Sequence, residues 1–265
     1  LIMAESLFDL EKIEGVSFSE PVIPTLKQYQ KGTLISPRYG GYTSAVEYEA
    51  LTGLTLAFYP SALVPYTTYF NQSDKRIPSI VQEFNNNGYV TYAIHPNDKT
   101  FYNRDVAYEM LGFQTFLDKS KFELTEDNTV AGGFLKDGPI GNELISLIEE
   151  NENPIFAFAV TLAGHYMEED RYTETAIKAE SSQLNAEELH DLEQTATAYH
   201  ETDEMFQTLV NYLESCDEPT LLYIFGDHLP PLPMFGRINY TENLVNKYGT
   251  FFGGIQQLQR YFNIR

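Results

Sequence analysis

Four short runs of aliphatic, β-branched and aromatic residues punctuate the chain: Leu1-Ile2-Met3-Ala4, Tyr89-Val90-Thr91-Tyr92-Ala93-Ile94, Pro154-Ile155-Phe156-Ala157-Phe158-Ala159-Val160-Thr161 and Thr220-Leu221-Leu222-Tyr223-Ile224-Phe225. Little polar alternation interrupts them, the pattern of strands covered on both faces. Helix patterns lie between. One starts near Pro78 and stops at Asn87-Gly88, another covers about 139–152, and a short one spans 45–51 before Gly53. The longest starts at Asn185, with Glu188 completing a capping box, and reaches about Ser215. Its apolar stripe is Leu192, Ala196, Tyr199, Phe206, Val210 and Leu213, with Asp203 filling the one gap. Strands alternating with helices predict an α/β fold, a mostly parallel central sheet with helices on both faces.

Three stretches fall outside that sheet. Residues 10–40 are loop-rich, 114–138 polar, and 166–184 charged, the last expected to be mobile. No internal repeat or low-complexity tract appears, and residues 255–262 read as a helix. A chain of 265 residues fits one large α/β domain covering 1–265.

Charge narrows the function. Lys+Arg total 17 against 38 for Asp+Glu, a net −21, which leaves nothing to neutralise a run of phosphates and excludes a nucleic-acid partner. Hydrophobic residues at 43% supply a core and exclude a disordered acidic chain. Cys216 stands alone, so there is no intramolecular disulfide framework and no multi-cysteine zinc site; at a helix end it reads as inert packing. No run of 18 apolar residues spans a membrane, and the opening residues lack a signal peptide's basic region. Because the chain opens inside a strand pattern, it is expected to be a piece of a longer protein.

In an open parallel sheet, ligands bind beyond the carboxyl ends of the strands. Glu5, His95, His165, Asp227 and His228 each come just after such an end and are expected to converge across more than two hundred positions. Asp227-His228 suits Zn²⁺, Mn²⁺ or another divalent ion, or is a helix cap beside a surface histidine. Glu5 offers a third ligand oxygen, or a solvated charge. Thr43, after Gly40-Gly41-Tyr42 and before a helix, is a helix cap or a nucleophile. Arg104 can hold phosphoryl oxygens and Tyr102 can wall a site; alternatively Arg104 pairs with Asp98 or Asp105 in a solvated loop. His190 and His200, on the long helix, are expected to face solvent, and Asp203 to be a buried hydrogen-bond acceptor.

Taken in order, Met3-Ala4-Glu5-Ser6, the segment from Gly40-Gly41-Tyr42-Thr43-Ser44 through Glu47-Tyr48-Glu49, Leu51-Thr52-Gly53, the segment from Ala93-Ile94-His95-Pro96-Asn97 to Asp105, Leu111-Gly112-Phe113, Thr161-Leu162-Ala163-Gly164-His165 and Phe225-Gly226-Asp227-His228 resemble the extracellular catalytic domain of the lipoteichoic acid synthase family. Those enzymes are phosphoglycerol transferases of the alkaline phosphatase/sulfatase superfamily. The resemblance covers residues 1 to about 232. It implies one divalent ion, Mn²⁺ before Mg²⁺ or Zn²⁺, held by Glu5, Thr43, Asp227 and His228. It implies Thr43 as nucleophile through a glycerophosphoryl-threonine intermediate. His95, Asn97, Tyr102, Arg104 and His165 match substrate-binding positions, with Arg104 and His165 also catalytic. A phosphatidylglycerol-type lipid donor, a glycerol-phosphate acceptor, and tethering outside the cell by an N-terminal membrane region are implied in the same way. Tyr102 departs from the family's frequent Trp, and Tyr166-Met167-Glu168-Glu169-Asp170 is more acidic than usual. A formylglycine sulfatase is disfavoured, because Thr43-Ser44-Ala45-Val46-Glu47 lacks the Cys/Ser-x-Pro-x-Arg context. A phosphodiesterase or phosphoethanolamine transferase on the same scaffold stays open.

Overall fold

The computed structural model describes residues 1–236 except 35, 37, 39, 60–62, 71–76 and 168. The expected helix at 255–262 lies outside the described residues.

Five strands, β1 (Ile2–Ala4), β3 (Val90–Ile94), β4 (Thr115–Leu117), β5 (Ile155–Val160) and β7 (Ile224–Gly226), form one parallel sheet in the order β4-β3-β5-β1-β7. A two-stranded antiparallel ribbon, β2 (Ser17–Phe18) with β6 (Ala179–Glu180), stands apart. The helices are α1 (Pro24–Tyr29), α2 (Thr43–Thr52), α3 (Pro65–Thr68), α4 (Ile80–Asn86), α5 (Arg104–Leu111), α6 (Gly138–Glu150) and α7 (Ala186–Glu214).

Alternate residues of the strands feed two cores, as the period of two requires. Met3, Ala93, Phe156, Phe158, Val160 and Phe225 pack with residues of α2, α4 and α5. Ile2, Ile94, Ala157 and Ala159 face the opposite way, against Ile140, Leu144 and Leu147 of α6 and Met205 and Leu209 of α7. A third cluster joins Leu10, Ile13, Val22 and Ile23 to Leu192, Ala196 and Tyr199 of α7. Helix α7 is thus covered along more than one face, which is why its buried positions are denser than a single stripe. The sheet with helices on both faces agrees with the sequence.

Several local expectations need correction. Thr115–Leu117, placed in a polar stretch outside the sheet, is its edge strand; three residues are too few to show a period. The run 220–225 is a strand only from Ile224, and Leu221 is 89% exposed; among the described residues β7 pairs with β1 alone. Within the charged stretch, residues 171–179 pack against α7: Arg171, Thr175, Ile177 and Ala179 are buried, and Gln194 and Glu193 of α7 accept the N–H groups of Arg171, Tyr172 and Ala179. His200 is half-buried and donates through Nδ1 to the Val22 carbonyl, whereas His190 is exposed and pairs with Asp170. Asp203 is the expected buried acceptor, taking the N–H groups of Thr25 and Leu26 at 3.0 and 2.7 Å and so capping α1.

Candidate active site

Strand register brings the polar residues together. Ala4 pairs with Gly226, so Glu5 and Asp227, the next residue on each strand, emerge side by side. Ile94 pairs with Ala159, and the Thr161 hydroxyl accepts the Glu5 N–H at 3.1 Å, which brings the ends of β3 and β5 to the same rim. The approach is tight. A Cβ on Gly164 would collide with the Glu5 carbonyl oxygen, and one on Gly226 with the Leu7 carbonyl oxygen. Only glycine lets these three loops meet.

Glu5, Asp227 and His228 are buried, and one ligand atom from each lies within 4.8 Å of the others. Ser6, in a left-handed conformation at φ 54°, organises them. Its N–H donates to Asp227 Oδ1 at 2.7 Å and its hydroxyl to Glu5 Oε1 at 2.9 Å. The Tyr199 hydroxyl from α7 in turn holds the Ser6 carbonyl. His228 Nδ1 is 3.0 Å from the Leu229 carbonyl, which can only accept, so Nδ1 carries a proton and Nε2 is the ring nitrogen turned to the two carboxylates. Nε2 lies 3.4 Å from Glu5 Oε1 and 3.2 Å from Asp227 Oδ2, and Oδ2 is buried without a hydrogen bond. Burial and the neighbouring Glu5 charge push the Asp227 carboxyl up to about 7. Three ligand atoms facing one point, one of them orphaned, fit a divalent cation with mixed nitrogen and oxygen ligands.

Thr43 is the first residue of α2, and Tyr42, with φ 65°, takes the cap position without a side-chain cap bond. The Thr43 hydroxyl therefore does not cap its helix. It lies 3.4 Å from Glu5 Oε2. This overturns the cap reading and places the hydroxyl at the carboxylate corner, in front of uncapped backbone N–H groups at a helix N-terminus.

A second group of polar residues lies toward β3. His95 is buried, and its Nδ1 donates to the Val160 carbonyl at 3.0 Å. Burial and then the nearby Arg104 cation hold its pKa well below the ordinary value, so His95 is a neutral imidazole with Nε2 free to accept. His165 is exposed, donates through Nδ1 to the Tyr166 carbonyl at 2.8 Å and stacks on Phe134. Asn97 is half-buried, and its Oδ1 accepts the Asp98 N–H at 2.7 Å. Tyr102, held at φ 59°, lays its ring 5.2 Å from the Arg104 guanidinium.

Arg104 does not pair with Asp98 or Asp105. It is 1% exposed, and its Nε and Nη2 grip Glu47 Oε1 at 3.1 and 2.6 Å, while Asp98 pairs with Lys119. Tyr108 donates to the other Glu47 oxygen at 2.7 Å. Burial works against the Arg104 charge, and Glu47 more than restores it. Sequence reasoning missed the role of Glu47. Its spacing was the available signal: four residues after Thr43, it projects from the same face of α2.

The sulfatase family model matches residues 1–257. A putative cyclic beta-1,2-glucan modification protein of Rhizobium meliloti (strain 1021) is 36% identical over 92% of this chain and 38% of its own length. Lipoteichoic acid synthase 1 of Bacillus subtilis (strain 168) is 27% identical over 62% of this chain and 25% of its own. The chain therefore spans about a quarter to two fifths of these relatives. The structure of the Streptococcus pyogenes phosphoglycerol transferase GacH in complex with sn-glycerol-1-phosphate matches with a TM-score of 0.77 at 28% identity, covering 91% of this chain and 64% of that one.

Proposed function

Since the chain belongs to the sulfatase family, we propose that it carries the catalytic site of a metal-dependent phosphoglycerol transferase that works through Thr43. The observation that carries this reading is the Thr43 hydroxyl, free of any capping duty, 3.4 Å from Glu5 Oε2 beside the Glu5, Asp227 and His228 corner. The likeness to a phosphoglycerol transferase in complex with sn-glycerol-1-phosphate supports a glycerophosphoryl group as what is moved. Glu5, Asp227 and His228, with Thr43, are the residues to hold Mn²⁺ or a similar ion. When bound, such an ion neutralises phosphoryl charge and sharpens a hydroxyl nucleophile.

The chain's own residues do the rest. Glu5 Oε2 attracts the Thr43 proton and leaves an oxygen lone pair for phosphorus. The Oγ1–P bond forms as the P–O bond to the donor's diacylglycerol breaks, and His165, protonated at Nε2, supplies the proton to that leaving oxygen. An acceptor hydroxyl then attacks phosphorus and gives its proton to His165, the Oγ1–P bond breaks, and the proton held by Glu5 returns to Thr43 Oγ1. Neutral His95, through Nε2, and Asn97 hold the glycerol hydroxyls, while Tyr102 packs against them. Arg104, locked by Glu47, lends its field to the phosphoryl oxygens. The catalytic domain works at an extracellular membrane surface on a phosphatidylglycerol-type lipid. Among the described residues no helix is long and apolar enough to cross a membrane; the tether of this reading is the N-terminal membrane region that the family resemblance implies.

Two acceptors compete. A growing glycerol-phosphate chain fits the lipoteichoic acid synthase relatives, and a glycan hydroxyl fits the glucan modification relative, which is the more similar in sequence. Water as acceptor would make the protein a phosphodiesterase. Incubation with a phosphatidylglycerol analogue and Mn²⁺, then peptide mass spectrometry, is expected to place glycerophosphate on Thr43. A protein that turns over donor with Thr43 unmodified in rapid-quench samples would overturn the covalent route.

A further inference from the structure

The turn 161–165 comes directly after β5, borders the Glu5 corner at one end and carries His165 at the other. Its shape is set from behind by two buried ionisable side chains that the proposed reaction does not use. Asp137, just before α6, is fully buried. Its Oδ1 accepts the N–H groups of Leu162 and Ala163 at 3.4 and 3.1 Å, and its Oδ2 accepts the Thr202 hydroxyl of α7 at 2.7 Å. Arg171 is 7% exposed, and its Nη1 donates to the Ala163 carbonyl. Gln194 Oε1, on α7, accepts the N–H groups of Arg171 and Tyr172 at 3.0 and 2.8 Å and so pins the arginine's own backbone.

Ala163 is thus gripped on both sides, its N–H by a carboxylate and its carbonyl by a guanidinium. Neither charge has a salt-bridge partner among the described residues, although each feels the other's field. Burial alone lowers the Arg171 pKa and raises that of Asp137. Two buried, unbridged charges cost stability, which argues that they are kept for position rather than for strength. The next residue, Gly164, is the one pressed against the Glu5 carbonyl.

We propose that Asp137 and Arg171 are positioning residues that clamp the Ala163 peptide, and so fix His165 relative to the Glu5, Asp227 and His228 corner. Its consequence for turnover rests on the transferase reading; its structural content does not. The test uses the full chain. In hydrogen exchange on metal-free protein, Arg171→Ala is expected to raise exchange across 161–166 by about tenfold or more, with β1 and β7 unchanged. Arg171→Lys, which keeps one donor, should restore most of the protection. With Mn²⁺ and donor, Arg171→Ala should lower kcat by about 10- to 100-fold with little change in KM. Its Mn²⁺ affinity should be equal or tighter, since a cation within the field of Glu5 has gone. If Asp137→Ala does not fold, Asp137→Asn, which keeps an oxygen for both N–H groups, should retain protection and turnover. Unchanged exchange at 161–166 in Arg171→Ala, or Mn²⁺ affinity falling in step with kcat, would overturn the clamp. Wild-type protein that transfers nothing while the exchange pattern holds would overturn the transferase reading and leave the clamp standing.

Discussion

Glu47 and Glu5 are both buried carboxylates near Thr43, and their surroundings differ in kind. Glu47 meets a guanidinium through two donors and a phenol through a third, so its charge is answered within the protein. Glu5 meets a serine hydroxyl, a threonine hydroxyl at 3.4 Å, a second carboxylate and the Nε2 of an imidazole. One cluster is closed and the other is short of positive charge. Buried charge that the chain does not balance stays stable only if something else balances it, so the deficit marks where a cation belongs. Residue types alone do not separate the two; their partners do.

The contrast can be broken at either end. The largest expected effect is on chemistry: Thr43→Ala should lower transfer by about 10⁴-fold, near 5.5 kcal/mol, with the melting temperature held, as read by donor turnover and calorimetry. Near-normal turnover would move the nucleophile elsewhere. In the closed cluster, Glu47→Gln leaves Arg104 as a buried, unanswered cation and should cost about 3–5 kcal/mol in urea unfolding. A cost under about 1 kcal/mol would mean that the pair is not closed as described. Gly164→Ala pushes a methyl group against the Glu5 carbonyl and should cost about 1–3 kcal/mol while weakening Mn²⁺ binding, measured by titration calorimetry.

The smallest effect is a pH slope in metal-free protein. The folded Asp227 pKa, raised to about 7, lies above its ordinary value of 3.8, so between those values the folded state holds a proton the unfolded state has lost. This group's contribution is therefore greatest at low pH and falls as pH rises toward 7, by at most about 1.4 kcal/mol per pH unit, then levels off. Urea midpoints from pH 5 to 8 would show it, and the slope should vanish in Asp227→Asn.

Much of the site is legible in the sequence because parallel strands deliver the residues after their carboxyl ends to one rim. Glu5, His95, His165, Asp227 and His228 all stand just past apolar runs, and register does the rest. The edge strand Thr115–Leu117 is hidden by its brevity. Thr43 is ambiguous in sequence because a hydroxyl before a helix caps far more often than it reacts; only the αL conformation of Tyr42 shifts it from cap to first residue. Glu47, whose four-residue spacing from Thr43 gives only its helix face, Asp137 and Arg171 have partners that are illegible for another reason. They act through partners 57, 26 and 8 residues away, and no local pattern announces a long-range hydrogen bond. Ser6 is equally silent: nothing in Met3-Ala4-Glu5-Ser6 shows that one serine bonds both carboxylates.

The charge deficit at the Glu5 corner is tested most directly by melting metal-free wild type and Asp227→Asn at pH 8, each with and without Mn²⁺. Wild type should gain several degrees with the ion, whereas Asp227→Asn, relieved of repulsion, should melt above metal-free wild type and gain nothing from Mn²⁺. Wild type indifferent to Mn²⁺, or Asp227→Asn melting below metal-free wild type, would contradict the account.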